Sequence, residues 1–323
     1  MLSRTADSLY WMSRNIERSE NNARILSAQM IHMLESSDQK IVDKDWEEIL
    51  EICASKQEYF SHYDRLNRET ILHYLMLNPV NMNAIQNTIN FSRENARASR
   101  DIIPDALWQL INRFYLEKRS QAEQPLIPPV IQNHLKDVIN MSMTCQGIIE
   151  STMTRGIPYA FIKIGKWIER AEKTARILNV ICEKTIREKN STDSQSYYYW
   201  LTALQIVNGY DSFIKDHPPT MNPQQVLTFL VEEERFPRSI RYCVDHIINA
   251  VEDLESGKRS HYSEELFQLL MNIQEKIRHT DISGLSMEEL MVYLDEFQDD
   301  CHKVSYVFSK TYYLVNPVRA TQT

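Results

Sequence analysis

Two stretches decide the reading: NIERSENNARIL at 15–26 and WIERAEKTARIL at 167–178. They share eight of twelve positions, namely Ile16/Ile168, Glu17/Glu169, Arg18/Arg170, Glu20/Glu172, Ala23/Ala175, Arg24/Arg176, Ile25/Ile177 and Leu26/Leu178. Around the first copy, apolar and small residues recur at Met12, Ile16, Ser19, Ala23, Leu26 and Met30, the three-and-four spacing of one helix face. With neither proline nor glycine from Met1 to Ser36, this segment reads as one helix about 50 Å long. The repeat predicts a second long helix of the same design over 158–189.

Working outward, a weaker echo follows at nearly the same offset, ILHYLMLNPVNMNAI (71–85) against VLTFLVEEERFPRSI (226–240). A repeat of this length means that one multi-helix unit occurs twice. We expect units over 1–151 and 158–315, fused around 151–157 into one double-length domain, with a frayed tail at 316–323. The two long helices are expected to meet near a pseudo-twofold axis. Further helices are expected at 43–54, 68–77, 82–101, 104–117 and 129–151. In the second half they are expected at 195–215, 223–231, 237–255, 262–279 and 286–313. Pro104 and Pro237 are placed in first turns, where proline is tolerated. LEKRSQAEQPLIPP (116–129) and NSTDSQS (190–196) read as loops. Runs of alternating β-branched residues are missing, so the fold class is all-α.

Composition narrows the function. Only six glycines occur in 323 residues, no two within eight positions of each other. That excludes every glycine-built phosphate cradle and the nucleophile elbow. A net charge of −8 gives no electrostatic reason for a nucleic-acid partner. Cys53, Cys145, Cys182, Cys243 and Cys301 are scattered without a C-x-x-C pair, the pattern of reduced, buried thiols rather than of a disulfide framework. There is no apolar run fit for a signal peptide and none of about 18 residues fit for a membrane span. These features predict a cytoplasmic protein.

The repeated stripe carries the chemistry. Ile16, Ser19 and Ala23, and Ile168, Ala171 and Ala175, form faces suited to a close helix crossing. Displaced by one position run Glu17, Glu20 and Arg24, and in the copy Glu169, Glu172 and Arg176. Arg18 and Arg170 flank them. These charges are expected to be at least partly buried, with Glu20→Arg24 and Glu172→Arg176 as i,i+4 pairs. They read first as ion pairs fixing helix register, where loss of a buried partner costs roughly 3–5 kcal/mol. A second reading is a ligand or partner surface. A carboxylate metal site from Glu17-x-x-Glu20 and its copy lacks the Glu-x-x-His partners of di-metal bundles, so no metal or cofactor is assigned. Cys243-x-x-His246 and Asp299-x-x-His302 have ligand spacing but stand alone, and YYYW (197–200) reads as packing material.

A second constellation lies in NFSRENARASRDIIPDALWQLIN (90–112). Arg93, Arg97 and Arg100 form a cationic ladder with Glu94 and Asp101 beside it. It reads either as an anion site or as partners for Glu17 and Glu20 inside the bundle. The corresponding DHIINAVEDLES (245–256) has no ladder, its cations lying earlier at Arg235, Arg238 and Arg241.

MLSRTADSLYWMSRNIERSENNARIL and WIERAEKTARIL resemble the two ER motifs of the Alpha-E family. RENARASRD with Trp108 and Asn112, and FPRSI at 236–240, match further blocks. The resemblance covers nearly the whole chain. It departs where the family tends to read Asn-Pro-Ser-Ser-Ile and this chain has Asn81-Met82-Asn83-Ala84-Ile85. The resemblance implies an all-helical fold, and genes that travel with, or are fused to, a circularly permuted ATP-grasp protein. Transglutaminase-like and proteasome-like proteins are often nearby, which implies a bacterial system for an amide-linked peptide modification. The leading expectation is an accessory or co-catalytic partner of the ATP-grasp ligase, holding it or its peptide substrate. Two alternatives stay open. One is an enzyme with Arg93, Arg97 and Arg100 on an anionic substrate and Glu17, Glu20, Glu169 or Glu172 in proton transfer. The other is a structural dimerisation module.

Overall fold

A computed structural model describes residues 3–35, 39–121, 125–188, 193–255 and 261–313. Among these residues there are fourteen α-helices, one 3-10 turn and no strand. The chain divides into two compact units, Met1–Lys166 and Trp167–Thr323. The expected tail at 316–323 lies outside the described residues.

The first unit holds α1 (Ser3–Glu35), α2 (Gln39–Ile52), α3 (Lys56–His62), α4 (Arg68–Met76), α5 (Ile85–Ala98), α6 (Asp105–Gln121) and α7 (Pro128–Thr152). It is built around α1, which packs along both α5 and α7, while α6 bridges α5 and α7. Burial on several sides demands apolar residues around the helix, and Leu9, Tyr10, Met12, Ile16, Ala23, Ile25 and Leu26 supply them. Polar residues here must find partners inside. Asn15 Nδ2 donates to Trp11 O at 2.8 Å and Ser19 Oγ to Ile16 O at 2.8 Å.

The helix α8 (Ile157–Arg187) contains the division between the units, and its first turns belong to the first one. They lie against α1 so closely that a Cβ on Gly165 would stand 2.5 Å from Tyr10 O. The second unit continues with α9 (Asp193–Ile206), α10 (Tyr210–Asp216), α11 (Pro223–Glu232), α12 (Ile240–Leu254), α13 (Glu264–His279), the 3-10 turn Ile282–Gly284 and α14 (Met287–Tyr313). Here α11, α12, α13 and α14 pack in succession, and the 3-10 turn closes on α11.

Several boundaries differ from the sequence reading. The expected helix 195–215 is two helices, because Asn208 takes a left-handed conformation (φ 52°). Gly209 N donates to Leu204 O and Asn208 N to Gln205 O, the paired bonds that end a helix. Ala54 (φ 53°) ends α2 in the same way, with Ser55 N on Leu50 O and Ala54 N on Glu51 O, and the short α3 follows. Pro237 precedes α12 rather than sitting in its first turn, since Ser239 is the N-cap and accepts from Tyr242 N. Pro104 likewise stands just before α6. The loop expected at 116–129 is mostly helix, as α6 extends to Gln121 and α7 begins at Pro128.

Candidate functional site

The first stripe is buried in the unit around α1. Glu17 and Glu20 are 0% and 1% exposed. Glu20 Oε1 accepts from Arg24 Nε at 2.8 Å, an ion pair one turn along the same helix. Its other oxygen accepts from Ser142 Oγ of α7 at 2.6 Å. Gln146, one turn further on α7, donates to Glu17 Oε2 (3.2 Å) and Glu20 Oε2 (3.3 Å). Arg24 also reaches Met143 Sδ. A carboxylate taken out of water is tolerated only where donors replace the lost solvation, and α7 provides two of them. Cys145 packs beside this cluster, and burial, with the Glu20 charge, pushes its thiol well above the ordinary range.

The neighbouring register of α1 does different work. Arg18 Nη1 donates to Asn83 Oδ1 at 3.1 Å, and Asn22 Nδ2 to Asn83 O at 2.8 Å. Together they hold the segment that turns into α5. Asn81 and Asn87 complete it, Asn81 Nδ2 bonding Tyr74 O and Asn87 Nδ2 bonding Asn81 O. Ala84, at the N-cap of α5, offers no side-chain cap. This is the departure from the family pattern seen in the sequence.

In the second unit side chains of α8 hold the segment that leads into α12. Arg170 Nη1 donates to Pro237 O at 3.3 Å and Thr174 Oγ1 to Arg238 O at 2.9 Å, just ahead of α12. Glu172 accepts from Arg176 Nη2 at 3.0 Å and lies 3.4 Å from His302 Nε2 of α14. Glu169 and Arg238 are buried, at 4% and 8% exposure. Cys243 contacts Pro237 O, and His246 stacks on Tyr242 while bonding its carbonyl. The Cys243/His246 spacing is therefore spent on packing. Among the described residues no group of three or more His, Cys, Asp or Glu is placed to hold a metal ion.

The arginine ladder stands apart from Glu17 and Glu20, correcting the expectation that they pair inside the bundle. Arg93 donates from Nη1 to Glu94 Oε1 at 2.6 Å and from Nε to Asn112 Oδ1 at 2.8 Å. Arg97 Nη2 takes the other Glu94 oxygen at 2.5 Å. Arg100 lies past the end of α5, over the Trp108 ring at 5.5 Å. Asp101 is exposed in the same turn. With the Arg97 and Arg100 side chains 62% and 59% exposed, the ladder faces outward. The helix crossing at α1 is filled by other groups, and the i, i+4, i+7 spacing is broken because α5 stops at Ala98.

A further cluster escaped the sequence reading. Glu150 near the end of α7 accepts from Tyr159 Oη (2.7 Å), Lys163 Nζ (2.9 Å) and Arg155 Nη2 (3.3 Å). Burial alone would raise its carboxyl, but the Lys163 and Tyr159 bonds and the Lys163 and Lys166 charges hold it below the usual range. It fastens the α7–α8 connection. No motif announces it, since its partners are spread over five to thirteen positions.

The model of the Alpha-E family, described as a predicted alpha-helical domain with a conserved ER motif, matches residues 1–313. No curated protein and no solved structure matches the chain. Among the described residues no helix is long and apolar enough to cross a membrane.

Proposed function

The chain belongs to the Alpha-E family, and from that premise we propose that it is an accessory or co-catalytic partner of a circularly permuted ATP-grasp amide ligase, acting in the cytoplasm on a peptide modification. One observation carries the reading. The motif charges are spent inside each unit, where Glu20, Arg18 and Arg170 hold helices and loops in place. Arg97 and Arg100 on the α5–α6 face turn outward instead, 62% and 59% exposed. A packed helical scaffold with an outward arginine face suits recognition, with the nucleotide chemistry supplied by the partner. The lack of any glycine-rich phosphate loop fits that division of labour. Proton transfer by Glu17 or Glu20 would require an approach to solvent that neither side chain has.

We further propose that the chain arose by internal duplication. The helices α1–α7 have 33, 14, 7, 9, 14, 17 and 25 residues. Their counterparts α8–α14 have 31, 14, 7, 10, 15, 16 and 27. The equivalent pairs Arg18/Asn22 and Arg170/Thr174 each hold the segment before the fifth helix of their set. Only the first set carries the arginine ladder, so the two copies would have diverged in use.

Co-expression with the ATP-grasp protein encoded nearest the gene, followed by size exclusion at moderate salt, tests the partnership. The reading predicts a stoichiometric complex. Separate elution, with nucleotide present, rejects it.

A further inference from the structure

On the face formed by α5, α6 and the turn between them, five side chains follow one another in contact: Arg97, Glu94, Arg93, Trp108 and Arg100. Glu94 is gripped from both sides by Arg97 and Arg93. Arg93 is largely used, bonded to Asn112 and Glu94 and lying over the Tyr115 ring at 4.8 Å. Arg100 is held differently. Its guanidinium rests on Trp108, and the nearest carboxylate among the described residues, Asp105, is 4.0 Å away, beyond hydrogen-bond reach. The indole ring therefore pre-positions its N–H donors, which have only a loose ion pair with Asp105 to compete with a ligand. Arg97 uses one nitrogen on Glu94 and presents the rest outward.

We propose that this face binds an acidic peptide, with Arg97 and Arg100 each taking a carboxylate side chain. Trp108 and the 43%-exposed Ile102 would take an apolar neighbour. A planar fork with its donors free matches a carboxylate in two-pronged geometry, and a fork fixed on an aromatic face loses less freedom on binding than a mobile one. Spaced carboxylates suit the face better than a dense polyanion. Glu94, Asp101 and Asp105 stand among the arginines, and the chain carries a net charge of −8, so a continuous run of phosphates would meet repulsion along most of its length. The inference rests on the α5–α6 face being the recognition surface, but not on the identity of the ligase.

The test uses the full chain and a fluorescein-labelled heptapeptide with glutamates at alternate positions among alanine and leucine. The same peptide with glutamines in their place is the comparison. Anisotropy titrations should show the glutamate peptide binding at least about tenfold tighter than the glutamine one, and more weakly as salt rises. Arg97→Gln and Arg100→Gln should each weaken it by about tenfold, the loss of one charge-assisted contact. Lys303→Gln removes an exposed cation of the second unit and should leave binding unchanged. Equal binding of the two peptides, no binding of either, wild-type affinity in both arginine variants, or displacement by inorganic phosphate at equal concentration would each overturn the proposal. Co-elution with the ligase alongside failed peptide binding would reject this inference and leave the partnership standing.

Discussion

Gly165→Ala perturbs a close approach of the first turns of α8 to α1. The new Cβ would lie 2.5 Å from Tyr10 O, 3.2 Å from Tyr10 C and 3.3 Å from its ring. Ordinary contact begins near 3.4 Å, and the obstacle is helical backbone at a residue 0% exposed, so no side-chain rotation relieves it. The first turns of α8 would have to move outward by most of an ångström, loosening their packing. Overpacking of this kind costs about 1–3 kcal/mol, and a backbone obstacle places it toward the upper end. The helix-propensity gain of alanine over glycine returns about 1 kcal/mol. The net loss is about 1–2 kcal/mol, or roughly 2–8 °C in melting temperature for units of this size. Gly147→Ala is the matched control, since Gly147 lies exposed in α7 with nothing within 4 Å of its would-be Cβ. It should gain up to about 1 kcal/mol. Thermal unfolding followed by circular dichroism would give both shifts. A Gly165→Ala protein that melts at or above the wild-type temperature would refute the close crossing.

Ala84→Ser should raise the melting temperature by about 2–4 °C, because it gives α5 the N-cap hydroxyl that Ser239 gives α12; an unchanged or lower value counts against the cap geometry. His134 provides a pH dependence. Burial, reinforced by the Lys118 charge and only partly offset by Asp137, lowers its pKa to about 4 from the ordinary 6.5. Between those values the unfolded chain binds the proton and the folded one does not, so stability falls as pH drops from about 6.5 to about 4, by at most about 3 kcal/mol. Urea midpoints across that window should show the loss, and His134→Asn should flatten it; equal slopes in both proteins would contradict the buried neutral imidazole. All five cysteines are buried, with Cys182 pushed up to about 12 by burial. A thiol-reactive dye should label none of them natively and all five in denaturant, and fast native labelling of Cys145 or Cys182 would show the core to be more open than described.

Much of the fold is legible because helices announce themselves locally. Scarce glycine, three-and-four spacing and two copies of one stripe suffice for the long helices. Asn208-Gly209 was a readable stop inside 195–215, as that dipeptide favours left-handed backbone. The stop at Ala54 was not readable, because alanine has no preference for the left-handed conformation it takes there. The site was legible only by half. Spacing identified Glu20 with Arg24 and Glu172 with Arg176, since both pairs are local. It could not find Ser142, Gln146 or His302, which meet the stripes from helices more than a hundred positions away. Nor could it tell that the ladder faces outward, because Arg100 owes its position to Trp108 of the next helix.

The most direct test of the account compares the urea unfolding midpoints of Glu20→Gln and Arg97→Gln. Glu20 is nearly fully buried and accepts from Arg24, Ser142 and Gln146, so replacing its charge should cost about 2–4 kcal/mol. Arg97 is 62% exposed with one surface partner, and its loss should cost less than about 1 kcal/mol. A large drop for Glu20→Gln beside a near-wild-type Arg97→Gln is the predicted result. A wild-type midpoint for Glu20→Gln, or a large drop for Arg97→Gln, would contradict the division between inward motif charges and an outward recognition face.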